Sequence, residues 1–192
     1  MSAKDQSAVL AALLARRTVR PRRLTSPGPS STALEQIIAA GYHGIDHGKL
    51  RPWRLLLIED RELLADAFEA AERESTADTN PSALAKARER ALAGPVVLTL
   101  VVRLVPNHPE APEHEQWMAV GAAVQQMLLA AEALGFAGSM LSGRKTRSQA
   151  LRTAFDLDEQ ERLVGFLAFG TAAVPPPPRP ASLDRPALTR WP

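Results

Sequence analysis

The sequence predicts a fold of the α+β or α/β class, with a sheet buried between helices. Two observations carry this. Three strongly apolar runs, "WRLLLI", "VVLTLVV" and "RLVGFLAFG", have the length of strands and no polar face. The segments between them place apolar residues three and four apart, which is the spacing of helices that bury one side.

Composition bounds the rest. The 192 residues suffice for one domain with a real core, and 45% hydrophobic against 23% charged residues is a globular balance. The absence of cysteine excludes a disulfide framework, a thiolate metal site and a cysteine nucleophile. A formal charge of +2 is too small an excess for a sequence-independent grip on DNA. The N-terminal segment lacks the order of a signal peptide. The most apolar stretch, "WMAVGAAVQQMLLAAEALGF", carries Gln125, Gln126 and Glu132, which a membrane span of about 20 apolar residues would not. The expectation is a cytoplasmic protein without nucleic-acid or membrane partners.

In chain order, Val9, Leu10, Leu13 and Leu14 share a helical face, and Arg16 and Arg17 close that helix before Pro21. "SPGPSS" is a loop. Thr32 and Glu35 have capping-box spacing ahead of the stripe Leu34, Ile37, Ile38, and Gly41 stands as its C-cap. "PWRLLLIED" reads as a strand buried on both faces. Leu63, Leu64, Ala67, Phe68 and Ala71 give the next helix. Asn80 and Pro81 open another as N-cap and first-turn residue, and Gly94-Pro95 ends it before "VVLTLVV". "PNHPEAPEHEQ" is a loop. A long helix runs from Glu113 to about Leu134 and is apolar around most of its circumference, the pattern of a central or shared helix. "GFAGSMLSGR" is a Gly-rich loop, residues 146–155 are helical, and "RLVGFLAFG" is the last strand. "PPPPRP" opens an extended tail. One domain over residues 1–174 and a proline-rich tail over 175–192 is the expected organisation.

Three segments carry candidate chemistry. Arg16, Arg17 and Thr18 either complement a helix dipole or clamp a phosphate, since arginines offer paired donors to a dianion and the hydroxyl adds another. In "GYHGIDHGKLRPW", His43 and His47 are four apart, as in two-histidine metal sites, but three glycines disfavour a helix there. Asp46, His108 and His114 are unanchored as further ligands, so the histidines read as loop residues, as contacts to a polar cofactor, or as half of a metal site. In "GFAGSMLSGR" successive backbone N–H groups can face an anion or a ring acceptor, although neither a P-loop nor a G-x-G-x-x-G spacing is met. Glu115 and Gln116, near the long helix's start, are placed either on a solvated face or along a cleft. No nucleophile–base pair emerges.

As an ordered set these segments resemble the nitroreductase family of FMN-dependent oxidoreductases, in its short, minimal form. The resemblance rests on "RRTVR" after the first helix, "AAGYHGIDHGKLRPWRLLLIED" leading into a strand, "VGAAVQQMLLAAEALGFAGSMLSG" and the closing "VGFLAFGTA", and it spans roughly residues 8–173. It implies an α+β fold, a mixed sheet flanked by helices, and an intertwined homodimer with FMN at the interface. It implies that Arg16, Arg17 and Thr18 hold the FMN phosphate and ribityl chain, and that Arg20 approaches the flavin's pyrimidine end. Arg22 and Arg23 remain solvated charge. His43 and His47 fall in a segment that contacts FMN, one of them from the other subunit. Met140, Leu141 and Ser142 fall on the loop beside flavin N5. The implied activity is ping-pong hydride transfer from NADH or NADPH through FMN to an electron-poor acceptor such as a nitroaromatic or a quinone, with no side-chain acid or base required. A non-catalytic FMN-binding protein and a histidine-based metal enzyme are the alternatives.

Overall fold

The structure is a computed structural model that describes residues 3–75, 80–177 and 188–191, with side chains from residue 9 onward. The chain folds as α1 (Ala3–Ala15), β1 (Leu24–Thr25), α2 (Ser31–Gly41), β2 (Trp53–Leu57), α3 (Arg61–Ser75), α4 (Pro81–Leu92), β3 (Val96–Arg103), α5 (Glu113–Ala133), β4 (Ala137–Leu141), α6 (Gln149–Ala154) and β5 (Glu161–Ala172). Most of the proline-rich tail lies outside the described residues.

The class is α+β. β5 pairs with β3 along one side and with β4 along the other, β3 pairs with β2, and β1 meets the end of β5. All these ladders are antiparallel. The only parallel pairing among the described residues is the single bridge between Thr18 and Gly138. Helices cover both faces. On one, Leu64, Ala65, Ala67 and Ala71 of α3, Ala91 of α4 and Leu151 of α6 pack on Val97, Val101, Leu163, Phe166 and Ala168. On the other, Leu34 and Ile37 of α2 and Ala123, Met127, Leu128 and Ala131 of α5 pack on Leu98, Leu167 and Phe169. The alternation along β3 and β5 divides two cores, and that is why both strands read as unbroken apolar runs.

Several local expectations are corrected. Ser30, not Thr32, caps α2: its backbone is extended and its hydroxyl accepts from Ala33 N at 3.3 Å, which puts Thr32 inside the first turn. Gly41 is not a C-cap. It is buried in the last turn of α2, where a Cβ would come within 2.7 Å of Met127 Cε and 3.4 Å of Trp53, so glycine serves the contact between α2 and α5. β2 lies at the sheet edge and is half-buried, with Leu57 50% exposed, rather than covered on both faces. "GFAGSMLSG" is not simply a loop: its middle forms β4, paired with β5 residue by residue from Ala137–Gly170 to Leu141–Phe166. The signal was hidden because Gly138 has no side chain, and it must have none, since a Cβ would lie 2.8 Å from the Phe169 ring. Asn80 and Pro81 do open α4, with Asn80 Oδ1 accepting from Ala83 N at 2.9 Å. The stripe Val9, Leu10, Leu13 and Leu14 of α1 faces outward, 49–70% exposed, because none of the described elements covers it.

Gly165 shows how tightly β4 is held. A Cβ there would stand 2.1 Å from the Leu141 carbonyl oxygen and 2.5 Å from Met140 Cε. Gly165→Ala is therefore expected to destabilise the fold by about 1–3 kcal/mol through overpacking. A lower urea midpoint at unchanged slope would show it, and an unshifted midpoint would contradict the packing described.

Candidate functional site

The site begins where α1 ends. Arg16 N still bonds to Ala12 O at 3.1 Å, and the chain then leaves the helix so that Thr18 bridges Gly138 and Val19 N donates to Gly138 O at 3.3 Å. Segments far apart in sequence, 16–18 and 137–142, thus lie side by side. Since the Gly138 carbonyl points away from β5, Met140, two residues on, also turns its backbone N–H and C=O away from β5. Because the Thr18 bridge is parallel, this outer edge of β4 runs beside the chain from Thr18 toward Arg20.

Two clefts lie at this edge. One, of about 540 Å³, is lined by Leu14, Arg17, Phe136, Ala172 and Pro176 among others. Here the guanidinium Nη1 of Arg17 donates to the Pro177 carbonyl, which ties the first residues of the tail to the site. The other, of about 640 Å³, has an apolar floor that includes Leu64, Phe68, Val97 and Phe166, and a rim formed by Arg20, Leu141, Ser142, Gly143 and Arg144. Glu72 and Lys145 form an ion pair in its wall, with side chains 17% and 19% exposed. The hydrogen bond from Lys145 holds the Glu72 carboxyl below its usual range, and the Lys145, Arg90 and Arg144 charges add to it.

The two histidines lie elsewhere. His43 is exposed in the turn after α2. His47 is exposed in a 3-10 turn, and its Nδ1 stands 2.6 Å from Glu115 Oε2 in the first turn of α5. The Arg17 cleft meets the last turn of α5 at Glu132, about 25 Å further along the axis. The segment that presents His47 is strained: Lys49 and Arg51 have φ of 53° and 48°, and Asp46 Oδ2 accepts from Arg51 N at 2.9 Å to hold the bend. Among the described residues no group of three His, Cys, Asp or Glu converges as for a metal. His108 uses Nδ1 to accept from Ala111 N at 3.0 Å, and His114 is exposed on α5.

Of the predicted site residues, Arg16, Arg17, Thr18, Met140, Leu141 and Ser142 therefore gather at one edge, and His43 and His47 do not join them within the chain. Two readings change. Gln116 lines no cleft: it is buried, donating to Val105 O and Ala111 O and accepting from Val105 N, which staples the proline-rich loop to α5. Glu115 is the partner of His47, which spacing could not reveal because 68 positions separate the two.

A phosphate-bearing, ring-containing cofactor fits these residues. Arg16 and Arg17 supply forked donors, Thr18 a hydroxyl and β4 outward backbone groups. The hydroxyl of Ser139, wholly buried on β4, has no hydrogen-bond partner among the described residues, so a polar group remains to be satisfied beside this edge.

The model of the nitroreductase family matches residues 13–171. "Putative NAD(P)H nitroreductase YdjA" of Escherichia coli K12 is 37% identical over 151 residues, covering 78% of this chain and 81% of that protein. A "Putative NAD(P)H nitroreductase" of Haemophilus influenzae is 34% identical over 152 residues, with 78% and 82% covered. Among solved structures, a "Nitroreductase-like Family Protein" from Bacillus cereus superposes with a TM-score of 0.76 at 20% identity, over 91% of each chain. "A putative nitroreductase in complex with fmn" from Desulfovibrio desulfuricans gives 0.67 at 26% identity, over 96% of each.

The His47–Glu115 pair has a pH signature. The hydrogen bond to Glu115, then its charge, raises the His47 pKa above the ordinary imidazole value, with a smaller contribution from Glu110. A raised pKa in the folded state means that the pair supports the fold fully below the unfolded value and loses that support as pH rises through the folded one. Following the His47 ring protons by NMR, Glu115→Gln should move the midpoint down toward about 6.5. An unmoved midpoint would mean the pair does not form in solution.

Proposed function

The chain belongs to the nitroreductase family, and from that premise we propose that it is an FMN-dependent oxidoreductase using NADH or NADPH to reduce small electron-poor acceptors, nitroaromatics or quinones. The observation that carries this reading is the meeting of the 16–18 segment with β4 at the Thr18–Gly138 bridge, which sets phosphate-binding donors beside a backbone edge suited to a heterocycle. The Desulfovibrio relative, named as a complex with FMN, supports the choice of cofactor.

When bound, FMN supplies the redox chemistry: hydride acceptance at N5 from the nicotinamide and delivery to the acceptor, in alternating half-reactions. The chain supplies position and charge. Arg16 and Arg17 neutralise the phosphate, and Thr18 hydrogen-bonds the ribityl chain. Arg20, on the rim of the larger cleft, offers positive charge at the pyrimidine end, where electron density accumulates on reduction. Met140 turns its backbone groups to the reactive edge, and Leu141 and Ser142 line the cleft beside it. No side chain is asked to act as acid or base, so the lack of a nucleophile–base pair does not count against catalysis.

His43 and His47 serve the site of a second subunit. Their place at the far end of α5 from Arg17 supports this, as does the exposed apolar stripe of α1. The protein is thus an intertwined homodimer, with residues 1–174 as its domain and the segment from Pro175 as a tail anchored first at Arg17. No helix among the described residues is long and apolar enough to cross a membrane, and a cytoplasmic location accords with the reading.

Purified protein should show flavin absorption that bleaches on anaerobic addition of NADH or NADPH, and Arg16→Ala should lose most of its bound FMN on gel filtration. Full flavin occupancy in that variant would remove Arg16 from the site, and a colourless native protein that takes up no FMN would overturn the function. Light scattering should return twice the 20.7 kDa chain mass, and a monomeric value would refute the shared site.

A further inference from the structure

The larger cleft holds more positive charge than the FMN site as read above requires. Among the described residues, Arg20, Arg22, Arg90, Arg144 and Lys145 line it against a single acid, Glu72, which Lys145 pairs. That is a local net of +4 in a chain whose formal net charge is only +2. Arg22 reaches Glu89 at 3.3 Å, but both side chains are more than half exposed, so the pair binds its charge weakly. Among the described residues Arg90 and Arg144 make no ion pair. Both line the same cleft, and both bring positive charge to bear on Glu72 in its wall. Beneath them the Phe68 and Phe166 rings, 5.1 Å apart, form an aromatic floor. An apolar floor under a cationic rim selects flat molecules that bear a negative group.

We infer that this cleft is the specificity site for an anionic aromatic ligand, whose carboxylate, sulfonate or phosphate is held by Arg90 and Arg144 while its flat body lies toward Leu141 and the Phe68–Phe166 floor. The inference deepens the oxidoreductase reading and rests on it for the ligand's role. Two sources share this chemistry: an acidic electron acceptor, and the additional phosphate that distinguishes NADPH from NADH. The FMN phosphate is not a third, because Arg16 and Arg17 hold it beyond the Thr18 bridge.

The test compares native protein with the double variant Arg90→Ala/Arg144→Ala, both positions being solvent-exposed. The readouts are the ratio of kcat/KM for 4-nitrobenzoate over 4-nitrobenzyl alcohol, and the ratio for NADPH over NADH. Loss of two charge-assisted contacts should lower at least one ratio by about tenfold or more. A fall in the nitrobenzoate ratio assigns the cleft to the acceptor, and a fall in the NADPH ratio assigns it to the donor's phosphate. If both ratios stay within about twofold, the inference is overturned. Calorimetric titration with 4-nitrobenzoate separates the two levels. Binding that the double variant loses, in a native protein without reductase activity, would sink the oxidoreductase reading and leave the cleft standing. Reductase activity with unmoved ratios would do the reverse.

Discussion

The double pairing of β5 is the constraint on which the rest of the structure depends. This strand is hydrogen-bonded to β3 on one side and β4 on the other, and β4 in turn brings Gly138 to Thr18. Three positions without side chains make the arrangement possible: Gly165 against the Leu141 carbonyl, Gly170 against the Pro95 ring, and Gly138 against Phe169. At each, a methyl group would enter space already held by backbone or ring atoms. The close approach both seals the core and fixes the edge at which Thr18 meets Gly138, with the 140–142 segment further along it. Stability and site geometry rest on the same contacts, so they cannot be varied independently along β4.

Much of this was legible in the sequence where one residue type has one physical use. Asn80-Pro81 could only open a helix, and the runs around Leu100 and Leu167 had to lie between two layers. What escaped were features whose cause is long-range. β4 is a strand because β5 pairs with it, and its own five residues, with a glycine, a serine and an alanine among them, give little local indication. Gly41 resembled a helix stop because sequence alone does not show Met127 pressing on it. The apolar residues of α1 share a helical face, but none of the described residues covers it. The site followed the same rule. Arg16–Thr18 and Met140–Ser142 were visible as motifs, whereas Glu115 acquired a role only when folding brought it to His47.

The electrostatics divide along the same lines. The Arg54–Glu161 pair is bidentate at 2.6 and 2.9 Å, with Glu161 nearly buried, and it locks the start of β5 to β2. Arg88 gathers Glu62, Asp66 and Glu69 and holds α4 on α3. These cations are spent on architecture. Arg20, Arg90 and Arg144, which line the larger cleft, have no ion-pair partner among the described residues, while Arg16 and Arg17 stand at the other side of the Thr18 bridge. A chain with little net charge can still gather cations locally, as the lining of the larger cleft does.

α5 connects these observations. Its first turn carries Glu115 with His47, and its last turn borders the Arg17 cleft, so the two candidate segments sit at opposite ends of one helix. Between them Met118 is 55% exposed, and Gly121 has open space where a side chain would stand. A partner related by a two-fold axis across that face would lay its own α5 antiparallel. Its first turn would then lie toward this chain's last turn, and its histidines toward this chain's arginines. The polar segment 43–51, strained and exposed in one chain, gains a use in that arrangement, since the cost of holding Lys49 and Arg51 at positive φ serves to project His47 outward. Assembly and completion of the binding site become one event, and the hydrophobic stripe of α1 is the surface left to stabilise it.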